Sequence, residues 1–172
     1  MQKNGAADSH HYAPMRPTIQ IRKARPEDND EVTSFAFEIM RALGVEPDPE
    51  KIDFALATFG KERDIPVRDF VAVDGKRLVG SIILKPITTS VAEMTGFYVR
   101  TDYQGQGVGA KLIKTVLSAA IGNGYEQIVL TTNRNMTAAI RLYESFGWVR
   151  QQKKPDNGAD YLYRLPLRKR KK

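Results

Sequence analysis

Three glycines at alternate positions dominate the stretch Gln104-Gly105-Gln106-Gly107-Val108-Gly109. Ahead of it runs Val91 to Val99, with the composition of a strand. Behind it Leu112, Ile113, Val116, Leu117 and Ala120 recur at helical spacing. A strand that feeds a glycine loop and then a helix points several backbone N–H groups at one spot, where the helix dipole adds positive potential. The chemistry this suits is the holding of a phosphate or pyrophosphate. Three glycines at a helix start would only lower stability unless a ligand or a close approach required them.

Two phosphate-loop patterns compete for these glycines. Gly105 to Ala110 satisfies the dinucleotide pattern GxGxxA, but that fingerprint belongs right at a strand end and expects an acid at the end of the next parallel strand. Here five residues separate Val99 from Gly105, and the next strand ends in Thr131-Thr132-Asn133. The second pattern starts at Gln104 and reads Q-x-x-G-x-G. It resembles motif A of the GNAT superfamily, the acetyl-CoA-dependent N-acetyltransferases. Ala139-Ile140-Arg141-Leu142-Tyr143-Glu144-Ser145-Phe146-Gly147-Trp148 resembles a second block of the same family. The resemblance covers roughly Ile19 to Leu165, and the two blocks in this order are specific where either alone is not.

The resemblance implies an N-acetyltransferase with acetyl-CoA as co-substrate and a primary amine, of a small molecule or a peptide, as acceptor. Backbone groups of Phe97, Tyr98 and Val99 would run beside the pantetheine arm, and one N–H there would polarise the thioester oxygen. The amides from Gln104 through Gly105, Gln106, Gly107 and Val108 to Gly109 would hold the pyrophosphate. Tyr143 matches the tyrosine that protonates the departing thiolate. Glu93 stands six residues before Val99, where the histone-acetyltransferase branch carries its glutamate. Six strand residues span about 20 Å, comparable with an extended pantetheine arm; the base is Glu93 or ordered water. The family's asparagine position falls on Met136, with Asn135 one residue early and able to serve after a small local shift. Ribosomal-protein alanine acetyltransferases resemble the chain around both blocks but carry a glutamate where this sequence has Thr131, which argues against transferring their substrate.

The elements that must position these groups follow from periodicity and punctuation. Ile19 to Lys23 alternates as a strand, and Arg25-Pro26-Glu27-Asp28 opens a helix that Gly44 closes. A second helix is predicted over Pro49 to Phe59. Phe70 to Val73 and Arg77 to Leu84 flank Asp74-Gly75 as a hairpin. Gln127 to Thr132 reads as a strand, Ala138 to Phe146 as a short helix, and Trp148 to Gln152 with Asp160 to Leu165 as a closing strand pair. The expected fold class is mixed α/β: a mostly antiparallel, GNAT-like sheet with a central βαβ crossover and flanking helices. The two early helices form part of the acceptor site in this family. They offer Arg41, Glu46, Asp48 and Asp53, which select no obvious amine.

The expected organisation is a flexible segment 1–17, an N-acetyltransferase domain 18–167 and a basic tail 168–172. The 172 residues carry a net charge of +7, but five of the 27 basic residues are Arg168 to Lys172. Without them 22 basic face 20 acidic side chains, so the body is nearly neutral. A terminal basic run without aromatic neighbours is read as a solvated end rather than a nucleic-acid arm. There is no cysteine, so thiolate metal sites and disulfides are excluded. His10 and His11 are too few to hold a metal. No apolar run suggests a membrane span or secretory leader, so a cytoplasmic location is expected; a homodimer is allowed for. Two rival functions stay open: a non-catalytic coenzyme A-binding module, and a nucleic-acid-associated protein working through its tail.

Overall fold

The computed structural model describes residues 18–51 and 54–168. Among these residues seven strands form one sheet: β1 (Ile19–Lys23), β2 (Arg68–Asp74), β3 (Arg77–Pro86), β4 (Val91–Val99), β5 (Gln127–Thr132), β6 (Val149–Arg150) and β7 (Tyr161–Pro166). Their spatial order is β1-β2-β3-β4-β5-β7-β6, and every neighbouring pair is antiparallel except β4 and β5. Among the described residues four α-helices accompany it: α1 (Asn29–Ala42), α2 (Phe54–Ala57), α3 (Val108–Gly122) and α4 (Thr137–Ser145). The parallel pair is joined through α3, as a parallel connection requires. The expected mixed α/β fold with a central βαβ crossover is the one found.

The sheet is buried on both faces, which explains why β3 reads from Leu78 to Leu84 with Ser81 as its one polar side chain. Ile82 and Leu84 face α3, whose Leu112, Ile113, Val116 and Ala120 fill that side. Ile83 points the other way, toward Val32, Phe35 and Ile39 of α1 and Leu56 of α2. A strand covered on both faces needs no polar alternation.

Two elements differ from expectation. The helix predicted over Pro49 to Phe59 is a 3-10 turn at Pro49–Lys51 and the single-turn α2, with 52 and 53 outside the described residues. Side-chain anchors, rather than helical length, hold this region. Asn29 Nδ2 donates to the carbonyls of Leu56 (3.1 Å) and Phe59 (3.2 Å). Arg63, buried with Asp69, donates to Asp69 Oδ2 (2.7 Å), Thr58 Oγ1 (2.6 Å) and Ala55 O (3.0 Å). The strand expected over Trp148 to Gln152 is only Val149–Arg150, because Trp148 leaves the sheet edge and buries its indole in the α3-side core. The expectations for residues 1–17, including His10 and His11, for Asp53 and for 169–172 lie outside the described residues. Among the described residues no helix is long and apolar enough to cross a membrane.

The Arg63–Asp69 pair carries a stability prediction. Asp69→Ala would leave the Arg63 guanidinium buried without its partner, at a cost of about 3–5 kcal/mol. Urea unfolding should show that loss as a lower midpoint at unchanged m-value. A change below about 1 kcal/mol would mean that the pair is relaxed by solvent.

Candidate active site

β4 and β5 are paired only from Val91↔Gln127 to Glu93↔Val129, yet β4 runs on to Val99 and β5 to Thr132. Past Glu93 the strands part and leave a notch in the middle of the sheet. A bulge in β4 accompanies the parting. Ile83 faces Thr95, but Ser81 faces Tyr98, so β4 carries one residue more than β3 across this step. Gly96 sits there with φ +57°, and a Cβ on it would come within 2.5 Å of Ile83 Cδ1; only glycine fits. Its carbonyl accepts from Ser81 Oγ at 2.8 Å.

The extra residue reverses which side chains face which side. Ala92 and Met94 belong to the α3-side core; after the bulge Phe97 and Val99 pack on that same side, and Tyr98 packs against the α1-side core. The N–H of Arg100 donates to Val79 O at 2.9 Å. By the two-residue period of a strand, the N–H and C=O of Phe97 and Val99 therefore point away from β3, toward the notch. No strand pairs with this edge, although the Val99 carbonyl accepts from Gln104 Nε2; an open edge of this kind is one that an extended chain pairs with.

A groove of about 420 Å³ runs along that edge on the α3 side. Phe97, Val99, Gln104, Gly105, Gly107 and Gly109 line one part of it. Asn135, Met136, Ala139 and Leu142, from α4 and the loop before it, line another. The sequence-predicted loop residues thus converge, but with distinct tasks. Val108 is a buried anchor. Gln106 donates to Asp102 O (2.9 Å) and Gln104 to Val99 O (3.0 Å), so both amides shape the loop from within. Tyr103 pins the preceding 3-10 turn to the β2–β3 hairpin through Asp74 Oδ2 (2.5 Å).

At the mouth of α3, Gly107 takes the cap position with φ +84°. No side chain caps the helix there, and no acid occupies its first turn. The amides of that first turn remain free to bind an anion. This is the feature of the structure that fits a pyrophosphate: unpaired donors, positive dipole and open space, since a Cβ on Gly107 would meet nothing within 4 Å.

Tyr143 lies on α4 in an aromatic cluster, its ring centroid 5.9 Å from Phe97, 6.0 Å from Trp148 and 6.4 Å from Tyr163. It is 6% exposed, and its hydroxyl has no hydrogen-bond partner among the described residues. Burial, reinforced by the nearby Tyr98, holds the phenol well above its ordinary pKa of about 10. Tyr143 is therefore a standing proton donor and not a base at neutral pH.

Three other residues stand differently. Glu93 is not among the residues lining the cofactor groove; it pairs with Lys85 at 3.0 Å, on the last register step before the strands part. It lies one pleat, about 7 Å along the strand, from Thr95, and Thr95 lines a second pocket on the α1 side together with Tyr98. Asn135 lines the groove, but its amide donates to Leu43 O at 3.4 Å, tying the end of α1 across to α4. The hydroxyl of Thr131 accepts from Asn157 Nδ2 at 3.0 Å. Sequence reasoning missed the side chain of Tyr98 and the second pocket. The signal for both was Gly96, an isolated glycine inside a strand, which marks a bulge. Among the described residues no cluster of side chains is placed to hold a metal ion.

Comparison with known proteins gives a consistent picture. The model of the acetyltransferase (GNAT) family matches residues 31–148. N-alpha-acetyltransferase 30 of Schizosaccharomyces pombe is 30% identical over 92 residues, 51% of this chain and 61% of that protein. The chain thus spans less than two thirds of that relative. An uncharacterized N-acetyltransferase of the same yeast is 27% identical over 146 residues, 78% of this chain and 85% of its own. Among solved structures, a GNAT-family acetyltransferase of Staphylococcus aureus superposes with a TM-score of 0.78 at 17% identity, covering 88% of this chain and 100% of that one. The PaiA N-acetyltransferase of Thermoplasma acidophilum, solved with coenzyme A, gives 0.69 at 19% identity over 87% and 99% of the two chains.

Proposed function

The chain belongs to the acetyltransferase (GNAT) family and uses acetyl-CoA, and from that premise we propose that it acetylates a primary amine at the β4–β5 notch. The observation that carries this reading is the continuity of one groove from the uncapped α3 terminus to the unpaired edge of β4. Acetyl-CoA supplies an activated acetyl carbon: a C–N bond to the amine forms, the C–S bond breaks, and free thiol leaves.

The residues divide the work. The first-turn amides of α3, with Gly105 and Gly107 giving access, hold the pyrophosphate. The N–H and C=O of Phe97 and the N–H of Val99 hold the pantetheine as an added strand, and an N–H on that edge polarises the thioester carbonyl. Tyr143 gives its proton to the departing sulfur. Burial that raises the phenol's pKa also raises that of the thiolate beside it, so the transfer stays matched. Glu93 is the one carboxylate of β4, and it takes the ammonium proton through water along the Thr95 face.

An acetyl-CoA turnover screen that follows free thiol tests the reading, using polyamines, amino acids, aminoglycosides and peptide N-termini. Amine-dependent thiol release with a mass gain of one acetyl group on the amine supports it. Tight cofactor binding without turnover of any amine would favour a binding module instead. The base assignment has its own test. Glu93→Gln should lower kcat/KM at neutral pH and recover part of it at high pH, where more of the amine is already neutral. A pH profile overlaying that of the parent would move the role to water alone.

A further inference from the structure

Ser81 is the one polar side chain of β3 between Leu78 and Leu84, and it is 0% exposed. A hydroxyl buried without a partner costs more than an apolar group in its place. The partner of Ser81 is the Gly96 carbonyl, at 2.8 Å, within the β4 bulge. Strand alternation puts Ser81 on the α1-facing side with Ile83, and the register sets it opposite Tyr98. Two neighbours on β3 therefore define the bulge from that side: Ile83 leaves no room for a Cβ on residue 96, and Ser81 holds its carbonyl.

The carbonyl of Gly96 and the N–H of Phe97 belong to one peptide unit, and in a planar trans peptide the two point in opposite directions. A carbonyl turned to Ser81 on β3 turns the Phe97 N–H away from β3, toward the notch. Of the donors on the open edge, that N–H lies nearest the bulge, and the Val99 N–H lies nearest the α3 terminus. With the pyrophosphate at α3, the thioester end of an extended pantetheine comes to Phe97. We propose that Ser81 is a positioning residue for acetyl transfer: its hydroxyl fixes the Gly96–Phe97 peptide so that the Phe97 N–H meets the thioester oxygen. The inference rests on the acetyl-transfer reading and deepens it. Two effects act in the same direction. The donor is oriented before the co-substrate arrives, so no reorganisation is left for the moment of reaction. A hydrogen bond accepted by the carbonyl also polarises the amide and strengthens its N–H as a donor. Negative charge builds on the thioester oxygen as the amine attacks, so both effects favour the transition state over bound acetyl-CoA.

Amide NMR of the full chain identifies the donor without any substitution. Saturating acetyl-CoA should move the Phe97 amide proton downfield of its position with coenzyme A, which lacks the carbonyl, and by more than any other amide of β4. Ser81→Ala should shrink that displacement. On an amine found by the turnover screen it should lower kcat by about 10–100-fold, up to the lower end of the loss for deleting an oxyanion donor, with KM for acetyl-CoA nearly unchanged. Ser81→Cys fills the same space with a weaker donor and should fall between parent and alanine in both readouts; it carries the test if the alanine variant does not fold. Leu84→Val thins the same strand on its α3 side and removes no side-chain hydrogen bond. It should lower the melting temperature and leave kcat and the Phe97 displacement as in the parent. Parent values of kcat and displacement in the Ser81 variants would overturn the inference and leave the transfer reading intact. So would the displacement of another β4 amide in place of Phe97, or an equal fall of kcat in Leu84→Val. A parent that binds acetyl-CoA and acetylates no amine would overturn the transfer reading, and this inference with it.

Discussion

Tyr143→Phe should lower kcat by about 10²–10⁴-fold, the range for loss of a general acid, with acetyl-CoA affinity nearly unchanged. The phenol's surroundings make the substitution clean. Phenylalanine keeps the ring that packs against Phe97, Trp148 and Tyr163. The hydroxyl it removes has no protein partner among the described residues, so stability should change by less than about 0.5 kcal/mol. The pH dependence follows from the direction of the shift. A phenol held above its ordinary value stays protonated as pH rises through neutrality. Tyr143 should therefore contribute no falling limb to the kcat profile below about pH 10. Steady-state rates of the variant equal to those of the parent on a verified amine would reduce Tyr143 to a core residue.

Gly107→Glu should weaken acetyl-CoA binding by more than about 100-fold in calorimetry, since two or more charge-assisted hydrogen bonds at about 1.5–3 kcal/mol each depend on that loop. Open space surrounds the position, so the new side chain reaches outward into the groove rather than into the core. A carboxylate at a helix N-terminus also suits the dipole, which offsets part of the left-handed backbone cost. The variant should fold and fail to bind, with its own carboxylate standing where the pyrophosphate belongs. Gly107→Ala separates the two effects: it carries the same backbone strain of about 1–2 kcal/mol without the charge, and should lose far less affinity. Equal losses in both variants would mean that loop geometry, not anion binding, is what the glycine provides.

The fold was legible wherever a local rule governs. Alternation and Asp74-Gly75 marked the hairpin, the glycine loop marked the start of α3, and Gly147 marked the end of α4. The helix expected over Pro49 to Phe59 failed because the segment is held by anchors outside it, Asn29 on α1 and Arg63 just beyond its end. Periodicity alone carries no information about such partners. The site followed the same division. The loop announced itself through residue type and spacing, and Tyr143 through the family resemblance of the block around it. The parting of β4 from β5, the shift of facing at Gly96 and the pairing of Glu93 with Lys85 are tertiary facts. Gly96 alone gave a local hint of them, and its consequence, that Phe97 and Tyr98 serve opposite cavities, needs the bulge to be placed against Ile83. Asn135 shows the limit of transferring a role by spacing: it reaches the groove, but its amide is engaged with Leu43.

The central claim is that one groove, from the α3 terminus to the open edge of β4, holds the co-substrate. A crystal structure of the chain grown with coenzyme A tests it most directly. The account predicts pyrophosphate oxygens on the amides between Gln104 and Gly109, pantetheine amides paired with Phe97 and Val99, and the thiol near Tyr143. Coenzyme A bound elsewhere, or its pantetheine turned away from β4, would contradict it.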